Sequence, residues 1–530
     1  MADNAHLPAP AKVVAARDLP AREPVKDPTL DIQVERDWEG EPGPRHRLVT
    51  IGDSLTHGFQ SGAIFNTDIS FPAIIAHELG WDGGFRRPSY PGYGGLPLNI
   101  ELLLRELEKR FGKNLDWWEA PLALFHARRF LDRTEDYWER GPGKDVPRTA
   151  GINHNLGVYG WDVRDVLSKT AKICRDAIDE PKDDFLKQIV QNDGDRAALR
   201  VLPSAGIDGD ENMTVLAAAQ RLGEDRSADQ QHGIETLIVF VGANNALQTV
   251  TKLKVKWSGP DYQDLRGKES YTVWHPDHFE EELRELADQV HGIAARHVIW
   301  CTVPHVTIAP IARGVGRKLT TGSRYYPYYT RPWISDQDFN PTVHPHLTGE
   351  QARDIDLAID LYNKAITDQV SSKRHAGRDW YLMDTAGLLD RVAARRYIDD
   401  PNAQPTWWQP YPLPPQLAAL AIPPNSHFLT SDGNGRTDGG LFSLDGVHPT
   451  TVGYGIIAQE LVNVMRLARV EFRHPNGTVR PDPVLVDFDR LIRRDTLINQ
   501  PPGNLTSGFE VLAWAEASIS LLKRTLYFRG

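Results

Sequence analysis

Four short apolar runs constrain this chain more than any other feature: Arg47-Leu48-Val49-Thr50-Ile51, Thr236-Leu237-Ile238-Val239-Phe240-Val241, His297-Val298-Ile299-Trp300-Cys301-Thr302-Val303 and Trp380-Tyr381-Leu382-Met383-Asp384. They are continuous rather than alternating, as strands covered on both faces must be. The first three give way to Gly52, Gly242 and Pro304, residues that end strands or open loops. Helical segments lie between them. Phe71, Ile74, Ile75 and Leu79 recur at helical spacing within Ile69 to Leu79, with Gly80 placed as a C-cap; Trp161 to Ala177, Asn212 to Leu222, His278 to Arg296 and about Thr348 to Val370 read likewise. Strands separated by helices long enough to cross over imply right-handed connections and a mostly parallel sheet with helices on both faces.

The domain expected from this pattern spans residues 45–468, ending with a helix from about Gly453 to Leu467. Residues 1–44, rich in Pro, Ala and charge, read as an extension that wraps the domain or stays mobile. Residues 469–530 read as an appendage with a possible strand pair and an apolar-periodic helix near Phe509 to Leu522. Three insertions enlarge the domain, at about 81–150, 305–347 and 400–435. The first holds two expected helices, Leu98 to Phe111 with its leucine series and an aromatic-rich one around Trp117 to Trp138; the second holds Tyr325-Tyr326-Pro327-Tyr328-Tyr329, and the third Trp407-Trp408. A helix pair of this kind can be a lid or an acyl-binding wall, or can simply pack on the core.

In a parallel α/β sheet, sites form beyond the carboxyl ends of the strands. Ser54 stands there after the first strand and Asn244 after the second, so one sheet edge can present both. Asp445 and His448 lie three apart in a loop bounded by Gly446 and Pro449. That spacing lets a carboxylate fix an imidazole while the other ring nitrogen faces a serine. Serine is a weak nucleophile unless a base activates it, and this pair supplies a base and its orienter. Asp53 reads as a structural residue bonding backbone around the serine loop, and His57 as a neighbour of the nucleophile rather than its base, since no carboxylate adjoins it.

These residues resemble GDSL-type esterases of the SGNH hydrolase superfamily. Four of the family's blocks occur in order: Gly52-Asp53-Ser54-Leu55, Asn155-Leu156-Gly157-Val158-Tyr159-Gly160, Gly242-Ala243-Asn244-Asn245 and Asp445-Gly446-Val447-His448-Pro449. The resemblance implies Ser54 as nucleophile, His448 as general base and then acid, and Asp445 as the orienting carboxylate. The implied oxyanion hole consists of the backbone N–H groups of Ser54 and Gly160 and the side-chain amide of Asn244. Asn245 stands where the family usually has aspartate. The expected fold is then a flavodoxin-like three-layer α/β/α sandwich with a mostly parallel central sheet and large helical and aromatic insertions. The expected activity is ester hydrolysis through an acyl-serine. Lipid or other acyl esters are favoured as substrates by the leucine and aromatic insertions, with carbohydrate O-acetyl esters as the alternative. A binding or structural protein retaining the fold is the alternative of another class.

Other chemistries find little support in the sequence. No His-Glu-x-x-His motif, P-loop or complete Gly-x-Ser-x-Gly elbow occurs, position 56 being Thr56. Asp432-Gly433-Asn434-Gly435-Arg436-Thr437-Asp438 is faintly like a calcium loop, but Arg436 occupies a ligand position, so no metal and no cofactor are expected. The formal net charge of -11 argues against nucleic acid as a partner. No apolar run is long enough for a transmembrane segment. The two cysteines, Cys174 and Cys301, read as buried free thiols, and without a visible signal peptide the default location is cytoplasmic, although a mature secreted form would read the same. Oligomeric state is open.

Overall fold

In the computed structural model, residues 8–35, 38, 43–116, 118–147, 151–178, 190–203, 209–226, 231–474, 476–503 and 505 are described. Five parallel strands form the centre: β1 (His46–Gly52), β2 (Asn155–Gly157), β3 (Ile234–Phe240), β4 (Ala295–Cys301) and β5 (Trp380–Met383). Their order across the sheet is β2-β1-β3-β4-β5, and every neighbouring pair runs parallel. The helices that position the site are α1 (Ser54–His57), α2 (Phe71–Glu78), α3 (Ile100–Phe111), α4 (Ala120–Glu139), α5 (Val163–Ser168), α6 (Asn244–Lys252), α7 (Pro276–His291), α8 (Gly349–His375), α9 (Thr385–Val392) and α10 (Thr451–Leu467). Among them α2 packs with α10, and α7 with both α5 and α8. These pairings follow from the strand order: the chain steps from β1 outward to β2, then returns past β1 to β3, and connections of one hand place helices on opposite faces when the direction of travel reverses. The arrangement is compatible with a three-layer α/β fold.

The strand order reverses beside β1, and there the strand ends are level. Gly52 pairs with Gly157 on one side and with Phe240 on the other. The chain leaves β1, β2 and β3 at the same height, so Ser54, Gly160 and Asn244 emerge at one edge. A crevice outside the carboxyl ends at such a reversal is where open α/β sheets bind ligands.

The described parts of both flanking segments pack on this domain. The N-terminal extension runs along α8 and the edge strand β5: Arg17 pairs with Asp354 at 2.7 Å, Val25 N–H donates to Asp384 at 2.7 Å, and Leu382 N–H donates to the carbonyl of Pro28 at 2.9 Å. This last bond covers backbone that an exposed edge strand would leave open. Residues 470–503 lie against α2 and α10, with Val486 N–H donating to Gln459 at 2.8 Å and Phe488 and Leu491 buried. The strand pair expected there reduces to one bridge between Arg473 and Val479, and Phe509 to Leu522 lies outside the described residues.

The insertions pack more than they cover. Ala123, Ala127, Phe130, Leu131 and Trp138 of α4 and Leu103, Leu104 and Leu107 of α3 are buried. The tyrosine-rich insertion forms a small antiparallel sheet of Arg313–Val315, Tyr328–Thr330 and Leu347–Thr348. Within it Tyr325 is buried with its hydroxyl on Asp356 at 3.1 Å.

Candidate functional site

Gly52 is required by closeness. A Cβ added there would lie 2.3 Å from the carbonyl oxygen of Phe240 and 2.2 Å from Thr56 Oγ1, so no side chain fits where β1 hands over to α1. The glycine that ends this strand therefore serves the close approach of β1 to β3. Asp53 then caps α1, its Oδ1 accepting from Leu55 N–H at 3.0 Å. Ser54 occupies the first turn, whose N–H groups have no acceptor within the helix.

The structure brings Ser54, His448 and Asp445 into one hydrogen-bonded line. Ser54 Oγ is 2.9 Å from His448 Nε2, and His448 Nδ1 is 3.0 Å from Asp445 Oδ2. The acid and the imidazole meet because the loop folds back tightly. Gly446 takes φ +66°, Ser443 N–H donates to the carbonyl of His448 at 2.8 Å, and Phe442 bridges to Pro449. Asp445 is fully engaged: Oδ1 accepts from Val447 N–H at 2.9 Å and His448 N–H at 2.8 Å, and Oδ2 also accepts from Gly62 N–H at 3.0 Å. Burial alone would raise its pKa, but the charge of His448, its hydrogen bond and the backbone donors outweigh burial, and the net shift is downward. An ionised carboxylate therefore faces Nδ1, which favours the tautomer with a proton there and a lone pair on Nε2 toward Ser54.

A hairpin after α1 locks the two distant segments together. Phe59–Gln60 pairs with Ala63–Ile64, and its turn donates Gly62 N–H to Asp445 and Ser61 N–H to Ser443 Oγ at 2.9 Å. Tyr454 Oη donates to the carbonyl of Phe59 at 2.6 Å, and the Phe59 and His448 rings lie 4.7 Å apart. Nothing in the sequence reading singled out this hairpin; the Ser61-Gly62 pair, a turn signal, was the available clue.

The two remaining candidates are tied to each other. Asn244 Nδ2 donates one N–H to the carbonyl of Trp161, the residue after Gly160, at 2.8 Å. An amide has a second N–H, left to point elsewhere. Asn245, where the resemblance expects aspartate, is buried and its Oδ1 accepts from Val163 N–H at 3.3 Å. The amide supplies the same acceptor a carboxylate would, so the departure leaves this contact intact. His57 is held away from the Ser54 line. Tyr159 N–H donates to its Nδ1 at 3.2 Å, which puts the ring proton on Nε2, 2.8 Å from Tyr90 Oη; that hydroxyl donates in turn to the carbonyl of Ala197 at 2.9 Å. Burial lowers the pKa of His57 to about 3, so the ring is neutral.

Ser54 and His448 form part of the wall of a cavity of about 120 Å3. The rest is almost entirely apolar and mostly aliphatic, with Leu55, Leu247, Val306, Leu388 and Ile456 among the lining residues and Phe442 the one aromatic ring besides His305 and His448. Of its polar neighbours, His305 is bonded to Asp360 at 3.0 Å and faces Asp390 at 3.5 Å. Desolvation opposes its charge, but Asp360, Asp390 and Asp356 prevail and raise its pKa to about 10. A second, polar pocket lies on the other side of α6. Ala243 and Leu247 line the apolar cavity, whereas Asn244 and Gln248 line the polar one together with Gly160, Asp193, Lys268 and Glu269. No residue of α3 or α4 and none of the insertion's tyrosines lines the apolar cavity; of the second insertion only its first turn, with His305, Val306 and Ala309, reaches it. Its walls come from the loops after β1, β3 and β4 and from α9, α10 and the Asp445–His448 loop.

The calcium-like stretch forms a hairpin, Thr430–Asp432 against Gly435–Asp438, in which Arg436 donates to the carbonyl of Gly439 at 2.6 Å. Among the described residues no three His, Cys, Asp or Glu side chains converge as a metal would require, and no helix is long and apolar enough to cross a membrane. Compared with known proteins, the chain matches no family model, and no curated protein matches it significantly in sequence.

Asp53 gives a pH-dependent prediction. Burial raises its pKa from 3.8 to about 7, against the pull of Leu55 N–H and the charge of His448. A carboxyl whose folded pKa exceeds its unfolded value stabilises the fold fully below the unfolded pKa and loses that contribution as pH rises through the folded one. Asp53→Asn keeps an acceptor for Leu55 and cannot ionise. The stability of Asp53→Asn relative to the parent is therefore expected to grow from about pH 4 to 7 and then level off; denaturant melts across that range showing a constant difference would contradict the assignment.

Proposed function

We propose that the protein is a serine ester hydrolase acting on esters with an aliphatic acyl chain, through an acyl-serine intermediate. The observation that carries this reading is the Ser54–His448–Asp445 line opening on an aliphatic cavity. The resemblance to GDSL-type esterases supports it, as does a strand order that puts the first three quoted blocks at one sheet edge, with the fourth joined to them through the His448–Ser54 hydrogen bond. Ser54 Oγ would attack the ester carbon while its proton passes to His448 Nε2. The carbon–oxygen bond to the alcohol would break as His448 returns that proton to the leaving oxygen. Water would then add to the acyl-serine with His448 as base, releasing the acid and restoring Ser54. The N–H groups of Ser54 and Gly160 and the second N–H of Asn244 would receive the developing oxyanion. Each such donor is worth about 10²–10³ in rate.

Two pockets separated by one turn of α6 suit an amphiphilic ester, its acyl chain in the aliphatic cavity and its alcohol toward Gly160, Gln248 and Glu269. A p-nitrophenyl ester series from acetyl to palmitoyl tests this. Each methylene taken from water contributes about 0.8 kcal/mol, so kcat/KM is expected to rise about fourfold per carbon until the cavity is filled. Leu389, half-buried in the cavity wall, can be enlarged; Leu389→Trp is expected to lower kcat/KM for the longer chains about tenfold or more while changing the acetyl ester little. A sharp preference for acetyl overturns the aliphatic-chain reading, and absence of hydrolysis across the series overturns the esterase itself.

A further inference from the structure

The outward face of α4 is unlike the rest of the surface. Among the described residues thirteen large hydrophobic side chains are exposed, and three of them, Trp118 (63%), Leu122 (54%) and Phe125 (58%), fall within eight residues. Exposed apolar residues scattered singly are ordinary; a gathered set is not. The inward face of the same helix is already satisfied, with Ala123, Ala127, Phe130, Leu131 and Trp138 buried. Leu122 and Phe125 are one turn apart on the opposite side, so they contribute nothing to holding α4 on the domain.

Cationic side chains border this apolar face. The rings of Phe111, at the end of α3, and of Phe125 lie 5.9 and 5.5 Å from the ring of His126, and Arg110 Nη1 is 3.4 Å from His126 Nε2. Desolvation first, then the charges of Arg110, Arg129 and Arg133, lower the pKa of His126, and Arg129 and Arg133 stand one turn apart, Arg133 Nε donating to the carbonyl of Arg129 at 3.3 Å. Residues 120–131 contain no carboxylate, although the chain as a whole carries a formal charge of -11; the exposed Asp132 that follows lies in the field of Arg128 and is outnumbered by Arg128, Arg129 and Arg133 around it. Asp116 and Glu119 precede the helix, with Glu119 bonded to Asp116 N–H at 3.0 Å, and Asp136, further along, is paired with Arg140 at 2.8 Å. An apolar stripe with a tryptophan, bordered by arginines, has the composition that lies in the interface of an anionic bilayer.

We propose that this face docks on an anionic lipid surface, with Leu122, Phe125 and Trp118 entering the acyl boundary and Arg110, Arg129 and Arg133 meeting the head-group phosphates. Charge complementarity selects this occupant over a second copy of the chain, because two such faces would oppose arginine to arginine. The binding does not depend on the ester hydrolase reading and is measured without turnover.

The test is co-sedimentation of the full chain with vesicles of pure phosphatidylcholine and of phosphatidylcholine mixed with phosphatidylglycerol. Binding to the anionic vesicles is expected in about 0.1 M salt, with weaker binding in about 1 M salt where the Debye length shrinks to about 3 Å. L122D/F125D is expected to lower that binding about tenfold or more, and R129E/R133E to remove the preference for anionic vesicles, each with a melting temperature near the parent's. No sedimentation of the parent with anionic vesicles overturns the proposal, as does parental binding by L122D/F125D or an undiminished anionic preference in R129E/R133E. A parent that ignores vesicles but forms a dimer dispersed by L122D/F125D also overturns it, in favour of self-association.

Discussion

Ser54→Ala is expected to abolish covalent labelling by a fluorophosphonate and to lower ester turnover about 10⁴- to 10⁶-fold, with KM changed little. The size follows from what the substitution removes and what it leaves. Ser54 Oγ is the atom 2.9 Å from His448 Nε2. The aliphatic cavity and the Gly160 and Asn244 groups remain, so substrate can still bind and a residual rate over water can persist. His448→Ala separates base from nucleophile: labelling should slow rather than vanish, because the serine is still present but keeps its proton. Intact-mass measurement of the three proteins decides the matter. A folded parent that gains no adduct sinks the hydrolase reading, and equal labelling of Ser54→Ala moves the nucleophile elsewhere.

The sheet was legible because buried parallel strands leave an unmistakable trace. Thr236 to Val241 and Trp380 to Asp384 read as strands, and Ile234–Phe240 and Trp380–Met383 are strands. What escaped was whatever lacked a periodic apolar signal. β2 has three residues and begins with a buried asparagine, so its pairing with β1 shows only when β1 is in place. The helix read from Trp161 to Ala177 is two helices, broken at Lys169 in extended backbone, where Thr170 Oγ1 accepts from Ile173 N–H at 3.2 Å to cap the second. Threonine before an apolar turn is a start signal, and here it overrode a continuous helical pattern. The helix Asp193–Val201 lay hidden in an acidic stretch because its apolar content is low and its arginines, Arg196 and Arg200, are buried by donating to carbonyls.

At the candidate site the local part was readable and the distant part was not. Asp445 and His448 are close in sequence, so their pairing needs only a tight turn. The donor that completes Asp445, Gly62 N–H, comes from 383 residues away, and no sequence spacing announces such a contact. The cavity is likewise a sum of one or two residues from each of several segments. The leucines and aromatics that suggested a lipid substrate are mostly elsewhere, in packing: Trp138 donates to the carbonyl of Gly95 at 2.8 Å, and Trp408 to that of Asp390 at 2.9 Å. The aliphatic cavity supports an acyl substrate on residues that the sequence did not single out, among them Val306, Leu388 and Ile456.

Asp445→Asn is expected to cut kcat about 10⁴-fold while the protein remains folded, and the reason lies in the count of donors around this carboxylate. Four N–H groups point at it: Val447 and His448 main-chain N–H at Oδ1, Gly62 N–H and His448 Nδ1 at Oδ2. A carboxylate accepts all four. An asparagine side chain has one acceptor oxygen and an NH2 group, so whichever way it sits, two donors confront donors. If its oxygen stays with Val447 and His448 N–H, the loop keeps its shape and the NH2 faces His448. The imidazole can then accept at Nδ1 only by carrying its proton on Nε2, the nitrogen that must take the proton of Ser54. The base is thus converted into a donor without being removed. Raising the pH would not restore it, since a neutral ring of the wrong tautomer is no better poised at pH 9 than at pH 7. Asp445→Glu provides the contrast: the anion is kept, the tautomer is kept, and the longer side chain disturbs only distances. Its kcat should fall less than that of Asp445→Asn although its melting temperature falls more. Equal rates for Asp445→Asn and the parent on a short-chain ester would show that His448 is oriented by something other than Asp445.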